Sequence, residues 1–278
     1  MNKKSIAVLI TCYNRKDKTI TCLHDLFLQQ GLGEQYTLKV FLVDDASTDG
    51  TGETVKENFP EVKIIPGNGK LFWTRGMHLA WSVAAKEGFD FYLWLNDDTM
   101  LFPTALLDMA NSAIKTNEES IICGTTCSAV TGAVTYGGRS KTKGLLAPNN
   151  ELQQCDYFNG NCVLIPDSVY KVIGNLDPTF NHSIGDWDYG LRAGKAKIKS
   201  FIPPAYIGTC EKHDSIAKWC SPIVKLKDRI KAFRTPLGPN VYQFFVFDRR
   251  HNGIFSAVFH FFSIHLRLLF PSLWNNRI

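Results

Sequence analysis

Two adjacent acids follow a stretch of strand-forming residues in the segment 91–99. The run Phe91-Tyr92-Leu93-Trp94-Leu95 ends in Asn96-Asp97-Asp98. Carboxylates at the end of a buried strand repel each other and lose hydration. A divalent cation removes that cost, because hard cations prefer carboxylate oxygens. The segment therefore predicts a metal held against an anion, and a phosphate is the anion that we expect.

Two further predicted strands also end in polar residues, Thr11-Cys12-Tyr13-Asn14 and Asp44-Asp45-Ala46-Ser47. The apolar patterns predict strands at 5–11, 38–43, 62–65 and 89–95, and helices at 17–30, from 52 to 58 and at 74–87. This alternation is typical of an α/β protein whose mostly parallel sheet is covered on both faces. Ligands bind at the carboxyl ends of such strands. Three convergent polar ends indicate a site more strongly than any one of them.

The segments after the second and third strands offer additional polar groups. Asp44 and Asp45 can accept hydrogen bonds from a nucleotide base or ribose, or they can form an Asx-type turn before a helix. Asn68-Gly69 is a turn signal. Arg75 opens a predicted helix, where it either meets a diphosphate or is solvated on a surface loop. The sequence has no GxGxxG and no GxxxxGK[ST], which argues against a dehydrogenase or a P-loop enzyme.

Two more candidates lie in the second half of the chain. Asp186 and Asp188 flank Trp187, and one of the two acids is expected to be a general base for a hydroxyl nucleophile. Asp188 has a structural alternative, since Arg192 is four residues further on a predicted helix. His213 follows a strand-like stretch, where it either ligates a metal or has a structural role.

The composition limits the classes of function. The chain has 278 residues, 45% hydrophobic and 21% charged, with a net charge of +5 that is not gathered in one block. Nucleic acid is therefore not favoured as a partner. The eight cysteines form no CxxC pair, which favours reduced, buried thiols over a zinc site. The apolar stretch Ile6 to Ile10 is too short for a signal peptide, so we expect a cytoplasmic protein.

The chain is predicted to form one continuous domain, 1–221, with a C-terminal extension at 222–278. Residues 121–165 are expected to form strands and loops, and residues 168–195 helical segments. In the extension, Lys225 to Arg234 is basic, and Ile254 to Phe270 is aromatic and aliphatic but short for a membrane span. Two interpretations of this extension remain open, a helix at a membrane interface and a helix packed on the domain.

Taken in order, these motifs resemble those of the family 2 glycosyltransferases, which have the GT-A fold. The matching segments are ITCYNR at 10–15, VDDASTDGT at 43–51, GNGKLFWTRG at 67–76, LNDDT at 95–99 and GDWDYGLR at 185–192. The resemblance covers about the first 215 residues. It is greatest to bacterial transferases of surface-polysaccharide synthesis, including rhamnosyltransferase-like members.

The resemblance implies a Rossmann-like sheet flanked by helices, with residues 1–100 binding a nucleotide sugar and residues 101–221 binding the acceptor. Five residues would surround the nucleoside and the donor: Thr11, Asp44, Asp45, Asn68 and Arg75. Asp98 would bind Mg2+ or Mn2+, Asp97 would support it or contact the ribose, and His213 would be an additional ligand. Asp186 takes the position of the catalytic base. Asn96 and Gly185 stand where the family usually has acids.

The implied activity is an inverting, metal-dependent transfer of a sugar from a nucleotide-diphosphate sugar to a glycan or lipid-linked acceptor. O-antigen or capsule synthesis at the inner face of a bacterial membrane would be its setting, with peripheral membrane contact through the extension. Two alternatives remain. One is a nucleotidyltransferase that makes a nucleotide sugar, and the other is a non-catalytic protein that binds sugar nucleotides or glycans.

Overall fold

A computed structural model describes residues 3–33, 35–212, 216–236 and 238–273. The chain divides into two units, Met1–Lys212 and His213–Ile278. The strands and helices of the first unit are β1 (Lys4–Cys12), α1 (Lys16–Phe27), β2 (Tyr36–Asp44), α2 (Thr51–Asn58), β3 (Lys63–Pro66), α3 (Phe72–Ala84), β4 (Phe91–Leu95), β5 (Met100–Leu101), α4 (Ala105–Lys115), β6 (Ile121–Cys123), β7 (Thr126–Cys127), β8 (Val134–Tyr136), β9 (Gly138–Ser140), β10 (Gly144–Leu145), β11 (Gln153–Cys155), β12 (Tyr157–Phe158), β13 (Cys162–Pro166), α5 (Asp167–Ile173), α6 (Gly185–Lys195), β14 (Ser200–Ile202) and β15 (Gly208–Thr209).

The main sheet has eight strands in the order β11-β14-β6-β13-β4-β1-β2-β3. Strands β1 to β4 are mutually parallel where they pair, as the alternation of strands and helices predicts. Strand β13 is antiparallel to both of its neighbours. The α/β class expected from the sequence is confirmed.

Burial of β4 on both faces explains its uninterrupted apolar sequence. Side chains alternate across a strand, so Tyr92 and Trp94 join one hydrophobic core with α3 and α6. Phe91, Leu93 and Leu95 join a second core with α1 and α4. Because β4 contains no charged side chain, the acids begin only where the strand ends.

The remaining strands of the first unit are short. They form a three-stranded sheet, β10-β9-β12, and a four-stranded sheet, β5-β15-β7-β8. All eight cysteines are free and buried, as their positions in apolar runs predict. Burial raises the pKa of several of these thiols, among them Cys155 and Cys162, each to about 12.

The second unit is helical. It contains a 3-10 turn (Lys218–Cys220), α7 (Leu226–Phe233), α8 (Val241–His251) and α9 (Ile254–Leu269). Asn240 caps α8 by accepting a hydrogen bond from the Gln243 N–H at 3.2 Å. Among the residues described, no helix is both long enough and apolar enough to cross a membrane.

Candidate active site

The carboxyl ends of β1, β2 and β4 meet at one edge of the main sheet. Cys12 is in register with Asp44 on β2, and β4 lies on the other side of β1. The loops that follow β1 and β2 are joined, since Asn14 Oδ1 accepts a hydrogen bond from the Thr48 N–H at 2.7 Å. The predicted convergence of the three polar segments is therefore present in the fold.

The acid pair after β4 is held by one cation. Arg15 places Nη1 3.2 Å from an Asp97 oxygen and Nη2 2.5 Å from an Asp98 oxygen. Asp97 is only 4% exposed. Burial raises the pKa of Asp97 to about 7. The positive charge of Arg15 opposes this rise, and the negative charge of Asp98 adds to it. Arg15 therefore offsets the repulsion that two adjacent buried carboxylates create.

The donor set at this edge fits a hard cation that shares its ligands with a substrate. No group of three His, Cys, Asp or Glu side chains able to hold a metal occurs in the part of the chain that the structure describes. Mg2+ usually needs only one or two carboxylates and completes its shell with phosphates and water. Asp97 and Asp98 offer such oxygens, and Arg15 contacts them both. The predicted ligand His213 lies outside the described residues.

Asn96 has a structural partner. Its Oδ1 accepts a hydrogen bond from Trp73 Nε1 at 2.6 Å, and its N–H donates to the Asn161 carbonyl at 2.8 Å. A neutral amide is favourable at position 96, because its oxygen accepts the hydrogen bond from Trp73. An acid at this position would add a third negative charge beside Asp97 and Asp98. The segment Asn96-Asp97-Asp98 is thereby tied to helix α3.

Asp186 lies in the first turn of α6 and is partly exposed. Its Oδ2 accepts the Gly160 N–H and its Oδ1 accepts the Trp187 N–H, each at 2.9 Å. Burial raises the pKa of Asp186 to about 6, and these two hydrogen bonds oppose the shift. A carboxylate with a pKa near neutrality that is fixed by two backbone donors is suited to act as a general base.

Gly160 connects Asp186 to the segment that contains the acid pair. A Cβ at this position would lie 2.4 Å from the Trp73 ring and 3.2 Å from Asp186 Cβ. Only glycine therefore allows Trp73 to approach this loop closely. One chain of contacts links Asp186 through Gly160 and Trp73 to Asn96, and it holds Asp186 in a fixed relation to the acid pair.

The backbone before Asp186 is constrained. Ile184 has φ of 62°, a left-handed conformation that is rare for a β-branched residue. A Cβ on Gly185 would lie 2.6 Å from the Thr74 side chain. An acid therefore has no room at position 185 in this packing, which gives a physical reason for the departure from the family pattern.

Asp188 forms the structural pair that its spacing predicts. The residue is fully buried, and its Oδ2 accepts a hydrogen bond from Arg192 Nε at 2.8 Å. Arg192 also donates to the carbonyls of Ile173 and Asn175, at 2.9 and 3.0 Å. Asp188 therefore stabilises α6, and Asp186 is the acid left at the edge of the site.

Replacing Asp188 by Asn should lower the free energy of unfolding by about 2–3 kcal/mol, because the Arg192 guanidinium loses its buried carboxylate partner. Urea unfolding followed by tryptophan fluorescence measures the change. The matched control is Asp186→Asn, which removes the same charge two residues earlier, where the carboxylate accepts two backbone N–H groups. Equal stability of Asp188→Asn and the wild type would contradict the structural role.

The predicted nucleoside residues have several protein partners. Asp45 is 4% exposed and accepts four backbone N–H groups, from Asn68, Gly69, Leu71 and Phe72, at 2.7–3.1 Å. This carboxylate therefore organises the loop before α3. Its contact with a nucleobase stays a prediction.

Four donor-side candidates remain, and one of them, Asn68, donates its N–H to Asp45. Asp44 Oδ1 accepts the Ser47 N–H at 2.9 Å, so the Asx-type turn is present. A Cβ on Gly76 would lie 2.2 Å from Thr11 Oγ1, which places Thr11 directly against α3. Arg75 donates from Nε to the Pro178 carbonyl at 2.9 Å. Their roles toward a donor stay predictions.

Sequence reasoning did not single out Arg15, Trp73 or Gly160. Arg15 ends the motif that follows β1, but its partners are 82 and 83 residues away. Trp73 belongs to the segment GNGKLFWTRG at 67–76 and lies in the first turn of α3. Gly160 carries no local signal, since the need for glycine there arises from Trp73, 87 residues earlier.

The comparisons with known proteins show the family and the fold of this chain. The model of "Glycosyl transferase family 2" matches residues 7–174, more than half of the chain. No curated protein matches the sequence.

Several solved structures share the fold. S. aureus TarS aligns with a TM-score of 0.56 and 12% identity over 91% of this chain and 44% of the TarS chain. S. aureus TarS 1-349 in complex with UDP aligns with a TM-score of 0.57 and 11% identity. The alignment covers 99% of this chain and 75% of the TarS 1-349 chain. The mannosyltransferase PcManGT from Pyrobaculum calidifontis, in complex with GDP-Man and Mn2+, aligns with a TM-score of 0.57 and 14% identity. The alignment covers 98% of this chain and 74% of the PcManGT chain. At these identities the likeness concerns the fold, and this chain spans less than half of the first TarS chain.

Proposed function

Because this chain belongs to glycosyltransferase family 2 and is a glycosyltransferase with the GT-A fold, we propose that it transfers a hexosyl or deoxyhexosyl group with inversion. The donor is a nucleotide-diphosphate sugar, and the reaction depends on Mg2+ or Mn2+. One observation carries the proposal, the chain of contacts from Asn96 through Trp73 and Gly160 to Asp186. It sets a base of raised pKa in a fixed relation to a pair of acids.

On the donor side, Asp98 is the proposed metal ligand, and Asp97 supports it. Bound there, a divalent cation would supply positive charge to stabilise the departing nucleoside diphosphate. Thr11, Asp44 and Asp45 surround the nucleoside in this proposal. Asn68 and Arg75 lie on the donor side of the site as well. The structures that share the fold include complexes with UDP and with GDP-Man and Mn2+, which supports the donor class.

On the acceptor side, Asp186 takes the proton of the attacking hydroxyl. The oxygen forms its bond to the anomeric carbon on the face opposite the leaving diphosphate. A single displacement inverts the configuration and needs no covalent sugar–enzyme intermediate. The Trp187 ring packs against Tyr157, with a centroid distance of 5.1 Å, and lies under the Arg139 guanidinium. In this proposal the cluster of Arg139, Tyr157 and Trp187 borders the acceptor.

The proposed acceptor is a hydroxyl of a glycan or of a lipid-linked oligosaccharide, in the synthesis of a cell-surface polysaccharide such as O-antigen or capsule. The proposed location is the cytoplasm, peripheral on the inner face of the cell membrane. The basic and aromatic residues of 222–278 support this location.

The purified chain with Mn2+ should release a nucleoside diphosphate from one donor in a panel of UDP-, GDP- and dTDP-sugars. In the absence of a glycan acceptor, water takes its place as the nucleophile and the free sugar is the second product. The physical reason is that the site holds acids for a metal diphosphate and a base for a hydroxyl. Liquid chromatography of the nucleotide products measures the release, with a reaction containing EDTA as the matched control. Pyrophosphate release from a nucleoside triphosphate and a sugar 1-phosphate would indicate a nucleotidyltransferase. Binding of a sugar nucleotide without turnover would indicate a non-catalytic protein, and either result would overturn the proposal.

A further inference from the structure

An apolar stripe runs along α9 and onto the residues that follow it. Its members within α9 are spaced alternately by four and three residues, which keeps them on one side of the helix. Leu273 follows after the helix has ended at Leu269. The stripe consists of Phe255, Phe259, Phe262, Leu266, Leu269 and Leu273, with exposed fractions of 91, 75, 61, 48, 46 and 72%. Exposed apolar side chains are normal when scattered, but a continuous line of large ones marks an interaction surface.

The opposite side of α9 is already occupied within the second unit. Ala257 and Ile264 are buried. His260 Nδ1 lies 2.5 Å from Asp248 Oδ2 on α8. The Arg267 guanidinium lies 5.6 Å from the centre of the Trp219 ring. The core-facing side and the apolar stripe are therefore different faces of the same helix.

The second unit also carries the net positive charge of the protein. Residues 213–278 contain ten Lys and Arg and three Asp, a net charge of +7, whereas residues 1–212 carry −2. Lys225, Lys227, Lys231, Arg234 and Arg249 are exposed. A basic unit that presents an apolar stripe complements a surface with anionic groups outside and hydrocarbon beneath.

We propose that the apolar stripe inserts at the headgroup boundary of an anionic lipid bilayer, with the basic side chains on the lipid phosphates. Helix α9 has 16 residues, about 24 Å at 1.5 Å per residue, and meets the criteria for an interfacial helix better than those for a span. A second copy of the chain is a less suitable occupant, because two units of +7 would repel each other. This docking surface rests on the peripheral location proposed above and specifies the residues responsible for it. Vesicle binding and sugar transfer are separate measurements, so failure of one is distinguishable from failure of the other.

The test measures cosedimentation of the full chain with vesicles of phosphatidylglycerol and phosphatidylethanolamine, and with vesicles of phosphatidylcholine alone. The wild type should bind the anionic vesicles, and raising the salt from 50 to 500 mM should weaken binding. The triple variant Phe255→Ser, Phe259→Ser, Phe262→Ser should reduce the partition coefficient at least tenfold, since it removes aromatic area that the bilayer would bury. The matched control replaces three exposed apolar residues of the first unit, Ile114, Val130 and Val172, by Ser.

The thermal midpoint of each variant should stay near that of the wild type, because the replaced side chains are exposed. Wild-type protein that does not sediment with anionic vesicles, or a stripe variant that binds as the wild type does, would overturn the proposal. The proposal would also be overturned if light scattering showed that the wild type is a dimer and that the stripe variant is a monomer. The stripe would then join two copies of the chain. Equal losses in the stripe variant and the control would also exclude a specific docking surface.

Discussion

Replacing Asp186 by Asn is expected to lower kcat for sugar transfer by about 10²–10⁴-fold, the usual contribution of a general base. The amide keeps an oxygen for one backbone donor, but it has no basic oxygen to take the proton of the acceptor hydroxyl. The affinity for the donor nucleotide should change little, since Asp186 lies on α6 and the acid pair follows β4. Nucleoside-diphosphate release measures kcat, and calorimetry with the nucleotide and Mn2+ measures the affinity.

Asp188→Asn is the matched control on the same helix turn. Its expected defect is stability, because Asp188 is buried against Arg192. At a temperature where both variants are folded, Asp188→Asn should retain most of the turnover. Near-normal turnover in Asp186→Asn, or a greater loss in Asp188→Asn, would show that the base has been assigned to the wrong acid.

The pH dependence gives a second measure of the same substitution. Burial raises the pKa of Asp186 to about 6, and a base acts only when it is deprotonated. The rate should therefore rise with pH through about 6 and become level above it. Asp97, with a pKa raised to about 7, should affect donor affinity instead, so kcat at saturating donor separates the two groups. If the residual activity of Asp186→Asn still rises with pH near 6, the assignment of Asp186 as the base is wrong.

The first half of the fold could be predicted because its signals are local. Strand β4 has five apolar residues in sequence, and its acids follow at once, so both the strand and its end are visible without a structure. The helix predicted at 74–87 is observed at Phe72–Ala84. Its two ends are displaced by two and three residues, because the exact ends of a helix depend on its caps and on the adjoining loops. Parallel strands then bring the polar ends together, because that topology leaves their carboxyl ends at one edge.

The second half and the contacts of the site could not be predicted in the same way. Strands such as β7 and β10 have two residues, too few to show a period. Arg15 pairs with Asp98 across 83 positions, and Gly160 donates to Asp186 across 26. These contacts depend on which loops the fold brings together, and single residue types do not reveal them.

Gly185 illustrates the difference between a pattern and its cause. The sequence shows only that glycine replaces the acid usual in the family. The structure shows that Thr74 on α3 fills the space that a side chain would need. Positions 74 and 185 therefore constrain each other, and a larger residue at 185 requires a smaller one at 74.

Replacing Asp98 by Ala should abolish the gain in nucleotide affinity that Mn2+ gives to the wild type, a loss of at least about tenfold. The carboxylate is the proposed ligand, and Asp97 alone would keep Arg15 as its counter-ion. Calorimetry with UDP or GDP, with and without Mn2+, measures the effect. If Mn2+ gives the wild type no gain, or gives Asp98→Ala the same gain, then Asp98 is not a metal ligand.

Arg15→Gln is the informative counterpart of Asp98→Ala, because Arg15 contacts the same oxygens that a metal would use. Without the guanidinium, Asp97 loses the cation with the larger effect on its pKa, and Lys18 offsets less of the repulsion. The metal-free protein should therefore unfold at a lower temperature. Mn2+ alone should then bind more tightly and restore the thermal midpoint by mass action. The two variants should thus have opposite effects on affinity for Mn2+. If Arg15→Gln instead weakens Mn2+ binding, the guanidinium positions the acids for the metal and does not compete with it.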